Sequence, residues 1–308
     1  MTALEIPPGL WMAWWSLTGL FVGSFLNVCI YRWPREGLSV SKPRRSVCPS
    51  CARQLTWKEN VPLLSWLVQL GRCRGCGWSI PWRYPLVELA TALLWVLAVL
   101  ATPQAQWDLL LVRLLVVSGL VVATSVDFAI FEIPDQVSIG GMLLAPLLSL
   151  AVPALHADTW VAGQFSAGPG VDRAGALAGC LAGMAVGGGL LLLVGWAGKL
   201  AFGREAMGFG DVKLLSGAGG FLGPGGVLLA LVLASLVASV AGVGNILRFL
   251  WVSRARHRAR GTHKPFARSL LSARIAGRYV PFGPYLALGI VVALLYWREV
   301  TPWFQLAR

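Results

Sequence analysis

The chain alternates between long apolar runs and short polar segments. Most of the runs reach the roughly 17–25 residues that a helix needs to cross a bilayer. They fall at about 10–31, 85–102, 108–126, 136–154, 174–198, 212–222, 226–247 and 280–297. The run 212–222 is short and rich in glycine, so it fits a short helix, a re-entrant segment or half of a broken helix. The pattern predicts an all-α polytopic membrane protein with about eight transmembrane helices.

Composition favours the same class of protein. Of the 308 residues, 56% are hydrophobic and 13% are charged, whereas soluble domains carry about a quarter charged residues. Residues 1–8 contain no Lys or Arg, so the basic start of a cleavable signal peptide is missing. We therefore expect the run 10–31 to remain as a first transmembrane segment.

The basic residues are unevenly placed along the chain. Of the 26 Lys and Arg residues, 22 lie in the segments 32–84, 199–213 and 248–279. Basic residues concentrate in cytoplasmic loops, so these segments are expected on the cytoplasmic side. The net charge of +13 then reflects topology rather than nucleic-acid binding. The loop 248–279 is also suited to contact anionic lipid.

These features divide the chain into three parts. Residues 1–31 form the predicted first transmembrane segment, and 32–84 form a cytoplasmic loop with four cysteines. Residues 85–308 form the predicted membrane domain, which includes the basic loop 248–279. Oligomeric state is not determined by the sequence.

Two Cys-x-x-Cys pairs stand in the loop, with 21 residues between them. Each pair holds two thiolates on one tight turn, and two pairs complete the tetrahedral shell that suits structural zinc. Redox or disulfide chemistry is the alternative, which a reducing cytoplasm disfavours. The four candidate zinc ligands are Cys48, Cys51, Cys73 and Cys76.

Acidic residues mark two boundaries of the apolar runs. Asp127 ends one run, and Asp211 begins another within the sequence Gly208–Lys213. The predicted topology places both at one membrane face, where two carboxylates can share a proton and activate water as in an aspartyl protease. Structural roles are the alternative: Asp127 as a helix boundary, and Asp211 in a local ion pair with Lys213.

The segment 127–135 adds two more acids, Glu132 and Asp135. No Lys or Arg occurs between Leu114 and Asp172, so this segment is negative within an otherwise basic face. Such a field would attract a basic peptide. The alternatives are a solvated loop charge for Glu132 and a helix N-cap for Asp135.

Together these motifs resemble the bacterial prepilin peptidases, the type IV leader peptidase family. The resemblance covers most of the chain, with Cys29 and Trp33 as small departures from the usual pattern. Its motifs are Gly23-Ser24-Phe25-Leu26-Asn27-Val28 and the residues up to Pro34, the paired Cys-x-x-Cys loop, Arg83-Tyr84-Pro85-Leu86-Val87-Glu88, Asp127 with Ile133-Pro134-Asp135, Gly208-Phe209-Gly210-Asp211-Val212-Lys213, and Pro281-Phe282-Gly283-Pro284.

The resemblance implies a GxGD membrane aspartyl protease of the bacterial inner membrane, with Asp127 and Asp211 as the catalytic pair. Its substrates are prepilins and pseudopilins, whose short basic leader is cut after Gly at the cytoplasmic face. Members with four cysteines commonly also methylate the new N-terminal amine, using S-adenosylmethionine.

Four further residues are candidates for a supporting role: Glu132, Asp135, Lys213 and Glu88. For Glu88, helix-boundary packing or an ion pair with Lys or Arg is the alternative. No glycine-rich nucleotide loop of the soluble cofactor folds occurs, so the sequence does not locate a methyl-donor site.

Two other functions fit parts of the pattern. One is an intramembrane GxGD protease that cuts other substrates within their spans. The other is a transporter or scaffold that uses the zinc loop for docking. Transporters usually place polar residues near the bilayer midplane, whereas these acids are predicted at one edge.

Overall fold

The computed structural model describes residues 6–35, 37–43, 45–168, 170–203, 207–259 and 281–304. Within them the chain forms α-helices, two short 3₁₀ helices (Trp57–Glu59 and Pro153–His156) and three isolated β-bridges. The predicted basic loop 248–279 begins later than expected, because residues 248–259 continue a helix. Residues 260–279 of that loop lie outside the described residues. The helices are α1 (Pro8–Arg32), α2 (Leu64–Val68), α3 (Arg83–Leu100), α4 (Trp107–Ile130), α5 (Asp135–Ala151), α6 (Trp160–Phe165), α7 (Arg173–Phe202), α8 (Phe209–Ala259), α9 (Gly283–Leu295) and α10 (Trp297–Phe304).

The prediction of an all-α multi-pass membrane protein is confirmed. Five helices of the described chain (α1, α3, α4, α7 and α8) are long and apolar enough to cross a membrane, while α5 and α9 are apolar but shorter. Large apolar side chains on these helices remain exposed, among them Phe21, Leu93 and Leu193, as expected of faces that contact lipid. The number of eight spans stays a prediction.

Helix α8 is broken at Gly223. That residue has a left-handed φ of 72° with ψ 174°, and Pro224 follows it. A Cβ on Gly219 would lie 3.0 Å from the Val227 side chain, although eight residues of straight helix span about 12 Å. The chain therefore folds back at Gly223, and the short run 212–222 is half of a broken helix.

Side-chain contacts show which helix ends lie together. The Gly283 N–H at the start of α9 donates to Asp127 in the last turn of α4. Lys213, near the start of α8, forms an ion pair with Asp135, the first residue of α5. The end of α4 and the starts of α5, α8 and α9 therefore meet at one end of the bundle, which we call the aspartate end.

The first and third helices pack side by side and reach the same end. The Asn27 amide near the end of α1 donates to the Tyr84 carbonyl at the start of α3, with N and O 3.0 Å apart. A Cβ on Gly23 would lie 2.7 Å from the Glu88 Cα, so the two backbones are in close contact. Trp33 and Pro34, which follow α1, line the same cavity as Asp127 and Asp211, so the four-cysteine segment that joins α1 to α3 begins at the aspartate end.

Glycines let α7 approach the first half of α8 with backbone touching backbone. A Cβ on Gly183 would lie 2.0 Å from the Gly219 carbonyl oxygen, and a Cβ on Gly219 would lie 2.2 Å from the Gly183 oxygen. Small residues make such close helix packing possible in membranes. These contacts fix the short, buried half-helix that begins with the Asp211 segment.

Replacing Gly183 by alanine should therefore destabilise the protein by about 1–3 kcal/mol, the usual cost of overpacking. The matched control is Gly189→Ala in the same helix, where a Cβ meets no atom within 4 Å. Thermal unfolding in detergent measures the difference. Equal melting temperatures for the two variants would contradict this packing.

Candidate active site

Asp127 is held by the start of α9. Its side chain is 6% exposed, and its Oδ2 accepts a hydrogen bond from the Gly283 N–H at 3.1 Å. A Cβ on Gly283 would lie 2.6 Å from the same oxygen, so any larger residue would displace the carboxylate. Helix α4 ends just beyond, where Phe131 has a left-handed φ of 59°.

Asp211 lies in the first turn of α8 and is half-buried. A Cβ on Gly208 would lie 3.3 Å from the Asp211 Oδ2, and one on Gly210 would lie 3.4 Å from Ile133. Two glycines therefore leave room for the carboxylate and for the loop before α5. The N-terminal turn of a helix also favours a negative charge.

Both aspartates line one open cavity of about 540 Å³ at the aspartate end. The side chain of Ile133 packs against both Gly210 and Gly283, and this contact joins the two glycine segments beside the carboxylates. The cavity therefore brings together the two acids that the sequence predicted would meet at one membrane edge.

The other polar candidates from this region also line the cavity: Glu132, Asp135 and Lys213. Lys213 forms its ion pair with Asp135, so the alternative of a local pair with Asp211 is not what the structure contains. Asp135 is the first residue of α5, and the N-cap position is occupied by Pro134. Glu132 is exposed, and no cation of the described chain pairs with it.

Apolar side chains complete the lining, and sequence reasoning did not identify them as site residues. Trp33 follows the end of α1, Phe131 follows α4, and Phe209 begins α8. Phe131 and Phe209 are 58% and 67% exposed. Their sequence signal is an aromatic residue at the end of an apolar run, which also marks ordinary membrane-interface anchors.

Glu88 lies elsewhere. It belongs to α3, is 8% exposed and accepts a hydrogen bond from the Leu63 N–H at 2.8 Å. Within the described ranges no Lys or Arg pairs with it, so the ion-pair alternative is not observed. Glu88 lines a second cavity of about 350 Å³, formed by α1, α3 and the four-cysteine segment.

The four cysteines converge as their spacing predicts. All four Sγ atoms lie within 4.8 Å of one another, and the Cys48 and Cys76 sulfurs are 3.8 Å apart. Four sulfurs at about 2.3 Å from a tetrahedral ion would be separated by about 3.8 Å. The cluster can therefore hold a metal ion.

The two cysteine turns are built alike. A β-bridge closes the base of each turn, Val47–Gln54 in the first and Arg72–Ser79 in the second. In each turn the residue after the second cysteine is left-handed: Ala52 has a φ of 56° and Gly77 a φ of 71°. In the second turn, hydrogen bonds from the Cys76 and Gly75 N–H groups lower the pKa of the Cys73 thiol to about 6. A thiolate is the form that binds metal.

Replacing Cys48 by serine should remove bound metal, because three sulfurs no longer complete the shell. We expect about one metal ion per wild-type chain and a large loss in Cys48→Ser. The control is Cys29→Ser, which alters a buried α1 cysteine outside the cluster. Mass spectrometry measures the number of metal ions per chain in the wild type and in both variants. Equal metal content in the two variants would contradict the metal site.

Two protein-family models match the chain. Residues 17–102 match the model of the bacterial peptidase A24 N-terminal domain, and residues 114–243 match that of the type IV leader peptidase family. No solved structure matches the chain.

The prepilin leader peptidase/N-methyltransferase of Aeromonas salmonicida is 37% identical over 98% of this chain and 97% of the relative. The proteins of the same name from Pectobacterium carotovorum and Pseudomonas aeruginosa are 32% and 33% identical, covering 93% and 92% of this chain and 95% and 90% of their own length. Full-length similarity of this degree, with both family models in order, means that the chain belongs to the type IV leader peptidase family.

Proposed function

We propose that this protein removes the short basic leader of prepilins and pseudopilins after a Gly residue and then N-methylates the new N-terminus. The observation that carries the proposal is the shared cavity of Asp127 and Asp211 in a chain of this family. We place the reaction at the cytoplasmic face of the bacterial inner membrane. Arg32 and Lys213, from the basic segments 32–84 and 199–213, lie beside and at the aspartate end, which supports that orientation.

In the proposed mechanism the two aspartates share one proton. The ionised carboxylate takes a proton from water as the water oxygen attacks the scissile carbonyl, while the protonated carboxyl polarises the carbonyl oxygen. The carbon–nitrogen bond of the resulting tetrahedral intermediate then breaks, and the departing amine takes a proton from the pair. No covalent intermediate with the enzyme forms.

The cavity lining suits both parts of such a substrate. Glu132, with no described cation beside it, and Asp135 give the opening a negative character that favours a Lys- or Arg-containing leader. Trp33, Phe131 and Phe209 offer apolar surface to the hydrophobic helix that follows the cut. Lys213 serves to orient Asp135 rather than the catalytic pair.

Two bound groups belong to the proposal. Zinc in the four-cysteine cluster would hold the loop 32–84 in shape, because a closed four-sulfur site is structural rather than catalytic. S-adenosylmethionine would supply the methyl group to the deprotonated N-terminal amine of the cleaved pilin.

The rival functions have less support. A transporter would use polar groups near the bilayer midplane, whereas Asp127 and Asp211 lie at helix ends. An intramembrane protease with other substrates uses the same aspartate chemistry. The position of the cut relative to the substrate helix separates that alternative from leader cleavage.

Replacing either catalytic aspartate by asparagine should reduce cleavage of a purified prepilin by roughly a thousandfold or more, since acid–base chemistry is lost. The control is Asp108→Asn at the opposite end of α4, which should cut normally. Mass spectrometry of the product reports the rate and the cut site. Wild-type cleavage by Asp211→Asn would overturn the mechanism.

Neutralising Glu132 should weaken binding of a basic leader. We expect Glu132→Gln to raise the KM by up to roughly fivefold, the upper end of an exposed charge interaction, with little change in kcat. Asp135→Asn should have the smaller effect, because Lys213 already offsets that charge.

The matched substrate is a prepilin whose leader lysines are replaced by glutamine. Glu132→Gln should leave its KM nearly unaltered. An equal rise in KM for both substrates would show that Glu132 acts on folding or on the cleavage site rather than on leader charge.

A further inference from the structure

We infer that the second cavity, between α1, α3 and the four-cysteine segment, binds S-adenosylmethionine, with Glu88 and Asn27 as its polar contacts. The inference rests on the methyltransferase half of the proposed function. The cavity holds about 350 Å³, which lies within the range of small-molecule sites.

Glu88 is a buried acid that the protein leaves without a counter-charge. It is 8% exposed and accepts the Leu63 N–H at 2.8 Å, but no Lys or Arg of the described segments pairs with it. Burying a carboxylate without a cation is unfavourable. A ligand with a positive charge would remove that cost, and the donor carries both an ammonium and a sulfonium group.

The other charged groups of this cavity are already engaged. Arg32 donates from Nη1 to the carbonyl oxygens of Ser39, Val40 and Pro43 at 3.0, 2.9 and 3.0 Å. Glu59 forms a 2.5 Å ion pair with Arg53. Glu88 is thus the acid placed to receive a cationic ligand.

Asn27 supplies a second, independent observation. Its side chain is 4% exposed and lines the cavity. The Nδ2 group donates to the Tyr84 carbonyl, while the buried Oδ1 has no hydrogen-bond partner among the described residues. An unpaired buried acceptor is costly, and an amino group of the ligand would satisfy it.

Aromatic side chains give the cavity a place for the adenine ring. Tyr31, Tyr84, Trp66 and Trp78 all contribute to its wall, and the Trp66 indole is anchored by donating to the Ile80 carbonyl at 3.2 Å. Purine rings stack favourably on such surfaces, and cationic groups are attracted to their faces.

The two cavities adjoin the same turn of chain. Tyr31 and Arg32, at the end of α1, line the second cavity, whereas Trp33 and Pro34 line the aspartate cavity. A methyl donor bound beside Tyr31 would therefore lie across the end of α1 from the place where the new N-terminus forms. Donor and cleavage site are separate but neighbouring.

Binding of S-adenosylmethionine to the full-length, zinc-loaded protein in detergent tests the inference without any turnover, by isothermal titration calorimetry. We expect Glu88→Gln to weaken binding roughly tenfold or more, since it removes a charge-assisted contact but keeps the shape. Asp211→Asn is the matched isosteric change in the other cavity, and it should bind the donor as tightly as the wild type.

Zinc content and thermal unfolding show whether the Glu88→Gln variant is folded. If it is not, Ser24→Leu, which places an apolar side chain in the cavity wall, should weaken binding instead. The inference is overturned if the folded cavity variant, Glu88→Gln or Ser24→Leu, binds S-adenosylmethionine with wild-type affinity. It is also overturned if Asp211→Asn loses affinity for the donor. Either result leaves the proposed function intact.

A different result would contradict the methyltransferase half of the proposed function. If wild-type protein cleaves prepilin but neither binds S-adenosylmethionine nor adds a methyl increment to the product, the methyltransferase half of that function fails. The inference fails with it.

Discussion

The structure depends on placing two acidic side chains together at one end of a bundle of apolar helices. A charge at a membrane edge is costly, and two of the same sign repel each other. The fold meets this constraint through glycine: Gly283 donates its N–H to Asp127, and Gly208 leaves room beside Asp211. Further into the bundle, direct backbone contact between Gly183 and Gly219 fixes the half-helix that carries Asp211.

The described helices enclose two cavities that adjoin at the end of α1. The segment from α1 to α3 encloses the cavity with Glu88, and the cysteine cluster forms part of its wall. Helices α4, α5 and α8 surround the aspartate cavity. Because Arg32 and Trp33 are consecutive yet line different cavities, a small shift of this turn would alter both. Such proximity suits two reactions that act in succession on the same N-terminus.

Much of the candidate site could be predicted from local pattern. Cysteines separated by two residues share a turn, so the convergence of the four cysteines followed from spacing. The aspartates followed from their position at the ends of apolar runs, combined with the charge rule for loops. Individual partners were not predictable in the same way. Lys213 lies only two positions after Asp211 in the sequence but pairs with Asp135, because α5 and α8 start side by side.

By itself the sequence determined the helical class, the membrane setting, the four sulfur ligands and the two acids, since each depends on residue type and on spacing along one segment. Tertiary structure alone decided the direction in which α8 turns at Gly223 and the contact of Gly283 with Asp127. It also decided that, among the described residues, no Lys or Arg pairs with Glu88 and no group hydrogen-bonds the Asn27 Oδ1. These features depend on which helices become neighbours, and helix neighbours are selected by packing among segments far apart in the chain.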